Sequence, residues 1–191
     1  PNAWLDYAGR FTIPQHFALS NAPVNGKAVL PRLVLTLARY GNGQGDRAYE
    51  EAGNLLAEQQ ALNMPLLWMV RGNVEWAQAR YDEAIATYQY GLELVDDERT
   101  RGLLANNLGA ILLDAGNVVA ASQELAQARE RLGDAIPPQL LFNEGLLHMY
   151  RGNYAEAVHS LQQAREGFTE DLPQAPVLLT LSHAHRQLGQ L

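Results

Sequence analysis

Three glycines recur in this chain at a nearly fixed interval. Gly72, Gly109 and Gly145 lie 37 and 36 residues apart, each inside a run with apolar residues at helical spacing. Glycine inside a helix costs about 1 kcal/mol relative to alanine. Three in register therefore point to helices that cross too closely for a side chain. A second motif recurs beside them. Arg151-Gly152-Asn153-Tyr154-Ala155-Glu156-Ala157 is matched by Ala115-Gly116-Asn117-Val118-Val119-Ala120-Ala121. A third copy, Ala79-Arg80-Tyr81-Asp82-Glu83-Ala84, lacks the glycine. Gly and Asn tolerate left-handed backbone angles, which suits a tight reversal between two helices.

The repeating unit is thus a helical hairpin, and the chain is predicted to be all-α. Pro65–Ala79 pairs with Tyr81–Val95, Gly102–Ala115 with Val118–Leu132, and Pro138–Arg151 with Tyr154–Phe168. These hairpins define three repeats, 65–98, 102–135 and 138–171, with slightly long loops near Glu98–Arg101 and Gly133–Pro137. Residues 172–191 hold one more helix, Ala175–Gly189, placed like a first helix with no second to follow. Upstream, residues 27–64 read as a degenerate pair. One helix covers 28–40, with Pro31 in its first turn. Another covers 46–62, with Asp46 as its N-cap. The loop Gly41-Asn42-Gly43-Gln44-Gly45 joins them. Residues 1–26 show no period but carry Trp4, Tyr7, Phe11 and Phe17. They read either as an irregular cap on the end of a helical stack or as a docking or dimerisation segment.

Composition removes several function classes. The net charge is −7, with one lysine and thirteen scattered arginines. Affinity for phosphate backbones needs clustered cations, so no nucleic-acid partner is expected. Cysteine is absent, which excludes disulfides, thiolate chemistry and cysteine zinc sites. No apolar run approaches the about 20 residues of a membrane span, and no signal peptide is apparent. The chain opens at Pro1 rather than Met, consistent with an upstream, membrane-anchored segment outside this sequence.

The segments Trp68-Met69-Val70-Arg71-Gly72 and Tyr81-Asp82-Glu83-Ala84-Ile85, followed by Tyr88 and Leu94, resemble a tetratricopeptide repeat. That family repeats at about 34 residues with a Trp, Leu-Gly, Tyr, Ala, Phe and Pro signature. The second repeat matches through Leu108-Gly109, Gly116-Asn117, Ala121 and Ala128. The third matches through Gly145, Gly152-Asn153-Tyr154, Ala157 and Ala164. The departures are the longer spacing, Asp96 in place of the closing Pro, and Arg71 and Glu144 in place of the Leu before the Gly. The resemblance covers residues 65–171 well and the rest weakly. It implies a right-handed α-α superhelix, or solenoid, whose first helices line a concave groove that binds proteins.

By register, the groove would be lined by Met69, Asn73 and Trp76 in the first repeat. The second would add Asn106, Asn107, Ala110 and Leu113, and the third Phe142, Asn143, Leu146, Met149 and Tyr150. The last helix would add Leu179, His183 and Arg186. Asn supplies both donor and acceptor to a peptide backbone, and Met and aromatics supply adaptable apolar contact. The expected ligand is an extended or helical protein segment with apolar anchors. The competing reading is that some of these residues pack between helices. Chaperone-binding members of the family hold a terminal carboxylate with two Asn and three cations. Asn73 and Asn107 match the two amides, but Met69, Gln139 and Asn143 stand where the cations belong. A buried carboxylate would lack its charge partners there, which excludes that ligand.

No P-loop, dinucleotide fingerprint, nucleophile elbow or zinc-protease helix occurs, so no enzyme activity and no cofactor are expected. His148 and His185 occupy equivalent repeat positions, but no further metal ligands can be placed with them. The acidic runs Asp96-Asp97-Glu98 and Glu170-Asp171 read as solvated loop surface. The leading expectation is a scaffold or adaptor in a multi-protein assembly. The Gly-Asn turns and the Arg-rich, Lys-poor composition suggest a bacterial source, and the resemblance of such domains to the soluble parts of envelope-assembly and secretion systems implies an envelope, secretion or polysaccharide-export machine. Two alternatives stay open. One is a homodimer formed through the Val177, Leu178, Leu181, Ala184 and Leu188 stripe of the last helix. The other is a regulatory domain of a larger enzyme.

Overall fold

A computed structural model describes residues 29–58, 64–168 and 174–190. The aromatic segment 1–26 and the run Glu170-Asp171 lie outside the described residues. Among those residues every regular element is a helix: α1 Val29–Gly41, α2 Gly45–Ala57, α3 Pro65–Ala77, α4 Tyr81–Leu94, α5 Glu98–Asp114, α6 Val118–Leu132, α7 Pro138–Tyr150, α8 Tyr154–Gly167 and α9 Ala175–Gln187. No described helix is long and apolar enough to cross a membrane. The helices fall into two compact bodies, one extending to Arg101 and the other running from Gly102 onward.

In the first body α1 packs on α2, α2 on α3 and α3 on α4. In the second, α5 packs on α6, α6 on α7, α7 on α8 and α8 on α9. The hairpins α3–α4, α5–α6 and α7–α8 are held by the same close crossing. A Cβ on Gly72 would lie 2.2 Å from the Tyr88 ring, one on Gly109 2.7 Å from Leu125, and one on Gly145 2.7 Å from Leu161. Tyr88, Leu125 and Leu161 are fully enclosed. The helix-propensity cost of the glycines is thus offset by large side chains seated directly on the backbone.

The reversals follow the Gly-Asn signature. Gly116 and Gly152 hold φ of +77° and +74°, and Asn117 and Asn153 occupy the N-cap positions of α6 and α8. Asn117 accepts a hydrogen bond from the Ala120 amide at 3.2 Å. In the copy that lost its glycine, Ala79 takes the left-handed conformation at φ 57°. An alanine there carries steric strain on the order of 1 kcal/mol.

Two local expectations are corrected. The helix α2 starts at Gly45, so Asp46 lies in the first turn rather than at the cap. Gln44 occupies the cap without a side-chain bond, and Asp46 instead accepts from Gln78 Nε2 at 2.6 Å. Residues Glu98–Arg101 are not a loop but the first turn of α5. Asp97 explains this, because its carboxylate accepts from the Thr100 hydroxyl at 2.6 Å and the Thr100 amide at 2.8 Å. The hydroxyl first, and then the amide, hold the Asp97 carboxyl below the usual carboxylate range. A depressed folded-state pKa gives stability that is present above the unfolded value, about pH 3.9, and lost as pH falls through the folded one. Asp97→Ala should cost about 0.5–1 kcal/mol at neutral pH, near the low end for a cap because the site is exposed. Urea denaturation at pH 7 and pH 3 checks this, since the difference from wild type should shrink at the lower pH.

Candidate protein-binding face

The side chains expected to line a groove divide sharply by exposure. Met69, Asn73, Asn106, Asn107, Ala110, Leu113, Phe142 and Asn143 are buried. They are enclosed by the chain rather than displayed, and the amides serve internal bonding. The Tyr88 hydroxyl donates to Asn73 Oδ1 at 2.6 Å and also reaches the Met69 carbonyl at 3.3 Å. Asn143 Nδ2 donates to Asn106 Oδ1 at 2.9 Å, and Asn106 Nδ2 donates to Asn107 Oδ1 at 3.1 Å. These contacts tie α7 to α5 within the second body. Buried polar groups of this kind are costly unless bonded, which is why each is paired.

The remaining residues of the set are accessible to different degrees. Trp76, Leu146 and Met149 are half-buried, while Tyr150, His183 and Arg186 are exposed. Tyr150 retains 57% of its surface and Leu179 74%. The accessible members of the set in the second body lie on α7 and α9. They are Leu146, Met149 and Tyr150 on α7, and Leu179, His183 and Arg186 on α9. His183 Nε2 lies 3.1 Å from Gln187 Nε2 on the same helix. Trp76 belongs to the first body. Large apolar side chains left exposed are of the kind that takes protein segments.

Sequence reasoning missed a polar cluster in the first body. Glu75 is buried to 1% exposure, receives a hydrogen bond from the Thr87 hydroxyl at 2.6 Å and pairs with Arg71 Nε at 3.0 Å. The Arg71 guanidinium also lies 5.3 Å from the Tyr49 ring centre, and Arg80 lies 4.7 Å from it. Arg71 departs from the repeat signature because it serves this cluster. Glu144, the equivalent departure in the third repeat, accepts from Arg129 Nε at 2.6 Å and so links α6 to α7. The available signal was the i,i+4 spacing of Arg71 and Glu75. Among the described residues, no group of three or more metal-ligating side chains converges.

Comparison with known proteins gives the architecture. No family model and no curated protein matches the sequence. Solved structures do match. The APC/C hetero-tetramer Cut9-Hcn1 aligns with a TM-score of 0.72 at 18% identity, over 83% of this chain and 30% of that one. The fold is that of a tetratricopeptide-type helical repeat. A Podosopora anserina protein assigned as a kinesin light chain, with nearly identical TPR-like repeats, aligns at TM-score 0.62 and 16% identity. That alignment covers 85% of this chain and 88% of its own. A singly substituted form of the same protein aligns at 0.63. This chain thus spans less than a third of the length of the Cut9-Hcn1 chain it matches.

Proposed function

We propose that this chain is a non-catalytic scaffold that docks a segment of a partner protein on an open strip formed by α7 and α9. The observation that carries this reading is the exposure of Tyr150, next to half-buried Met149 on α7, and of Leu179 on α9. Arg186 and His183 flank the apolar residues and favour a segment with an acidic group next to its apolar anchor. The amides expected to read a peptide backbone are engaged internally. Specificity on this strip therefore comes from shape and charge more than from backbone bonding. An adaptor role in a bacterial envelope or secretion assembly is the finer form of the proposal, and it rests on the Gly-Asn turns, the Arg-rich composition and the resemblance to the soluble parts of such assemblies.

A pull-down from the source organism's lysate tests the strip. Wild type is compared with a Met149→Ala, Tyr150→Ala, Leu179→Ala variant. Exposed anchor residues in protein interfaces commonly cost more than about 1–2 kcal/mol on truncation, so capture should fall at least about tenfold. Far-UV circular dichroism should stay unchanged, because none of the three side chains is buried. Equal capture by a folded variant would reject the strip as the docking site.

A further inference from the structure

The helix α5 is enclosed on every side. Each residue from Gly102 to Leu113, more than three turns, is buried. A helix shielded around its whole circumference needs cover around its whole circumference. One side is supplied by α6, where Leu125 sits on Gly109. Leu103, Asn107 and Asp114 lie about 120–160° around the helix from Gly109, on the side turned away from that crossing. Leu103 and Asn107 are buried there, and Asp114 is half-buried. This burial is reached within a single chain, so the cover is part of the chain itself.

The buried amides state what chemistry that cover has. Asn143 donates to Asn106, and Asn106 donates to Asn107, so the three form a chain with a direction. It begins at an acceptor, Asn143 Oδ1, and ends at a donor, Asn107 Nδ2. All three residues are 0% exposed, which keeps water from either end. Asn107 and Asn143 each take part in a further polar contact besides these bonds. One peptide backbone offers both complementary groups, an N–H for the acceptor and a C=O for the donor. Backbone inside a helix has already spent those groups on its own ladder. The matching backbone therefore belongs to chain outside the helix interiors.

We propose that residues 1–12 of this same chain lie along the Asn107 side of α5 and are its cover. Trp4, Tyr7 and Phe11, three and four residues apart, are the apolar anchors, and the backbone between them closes the amide chain at Asn107 and Asn143. The reach is ample. The 28 residues that precede α1 span about 90 Å when extended, several times the length of α5. Three aromatics in twelve residues supply the apolar area that such a cover needs. The segment acts as an internal competitor. Any partner segment aimed at this side of α5 must first displace it, whereas the strip on α7 and α9 stays open. The inference does not rest on the reading of that strip.

The chain has no cysteine, so one introduced thiol reports alone. Ala110 is 0% exposed and lies one turn on from Asn106 and Asn107. The full 191-residue chain carrying Ala110→Cys is treated with a soluble disulfide reagent under native conditions, and slow labelling is expected. Adding Trp4→Ala, Tyr7→Ala and Phe11→Ala should speed it at least about tenfold, because the cover then opens more often. Ala164→Cys, buried in α8, should label at the same slow rate in both backgrounds. An Ala110→Cys rate untouched by the triple substitution overturns the proposal. Equal acceleration at both thiols also overturns it, since the segment would then stabilise the whole body instead of covering α5. Labelling of Ala110→Cys that slows as protein concentration rises makes a second copy the cover and overturns the choice of occupant. Native-state hydrogen exchange repeats the comparison without a thiol. In the triple variant the α5 amides should lose protection while those of α8 keep it, and unchanged α5 protection again overturns the proposal.

Discussion

Gly72→Ala should destabilise the first body by about 3 kcal/mol, at the upper end for overpacking a core. The added methyl would stand 2.2 and 2.5 Å from two carbons of the Tyr88 ring. The ring cannot swing aside cheaply, because it is fully buried and its hydroxyl is bonded to Asn73 at 2.6 Å. On propensity alone the same substitution should stabilise a helix by about 1 kcal/mol, so the sign of the result decides which effect wins. A double-mutant cycle isolates the cause. In a Tyr88→Ala background, itself costing about 3–5 kcal/mol, Gly72→Ala should become neutral or favourable. Urea titration followed by circular dichroism gives all four stabilities. A destabilisation that persists without the tyrosine would mean that the close crossing is not what requires glycine.

Asn106→Ala should cost the second body about 2–4 kcal/mol. The lost bonds are those of Asn106 to Asn143 and Asn107, at 2.9 and 3.1 Å in a fully buried setting. Truncation removes an acceptor from one amide and a donor from the other, and each buried group left with a bond unmade costs about 1–3 kcal/mol. Asn106→Asp keeps the acceptor for Asn143 but loses the donor to Asn107 and buries a charge. It should therefore be at least as damaging at pH 7 and less so at low pH, where the acid is neutral. Thermal melts across pH 4–8 distinguish the two variants. Equal stability of Asn106→Ala and wild type would show that the amide chain contributes nothing net.

The hairpins were legible because their cues are local. Gly116 and Gly152 mark reversals through a backbone angle that few other residues adopt, and the glycines at 72, 109 and 145 mark crossings through the absence of a side chain. The boundary of α5 was misplaced because its start depends on one capping carboxylate, Asp97, set in an acidic run that resembles ordinary solvated surface. The face was harder to read than the fold. Register grouped Asn73, Asn106, Asn107 and Asn143 on the groove-facing side of their helices, but register does not determine whether an amide meets solvent or another amide. The pairing of Asn143 with Asn106 joins residues 37 apart in sequence and depends on how two hairpins settle together. Exposure of Tyr150 and Leu179 likewise follows from their places at a helix end and on the last described helix, not from their residue types. Arg71 and Glu144 looked like simple departures from a signature until their partners, Glu75 with Tyr49 and Arg129, were in view.

Helices that pack mainly on their immediate neighbours should not all open together. In native-state hydrogen exchange, the amides of α7 sit between α6 and α8 and should require opening of much of the second body. Those of α9, with Leu178 and Ser182 facing water, should exchange through a smaller local event. The protection difference between α7 and α9 then measures how far the outer helix can open while the rest of the second body stays closed.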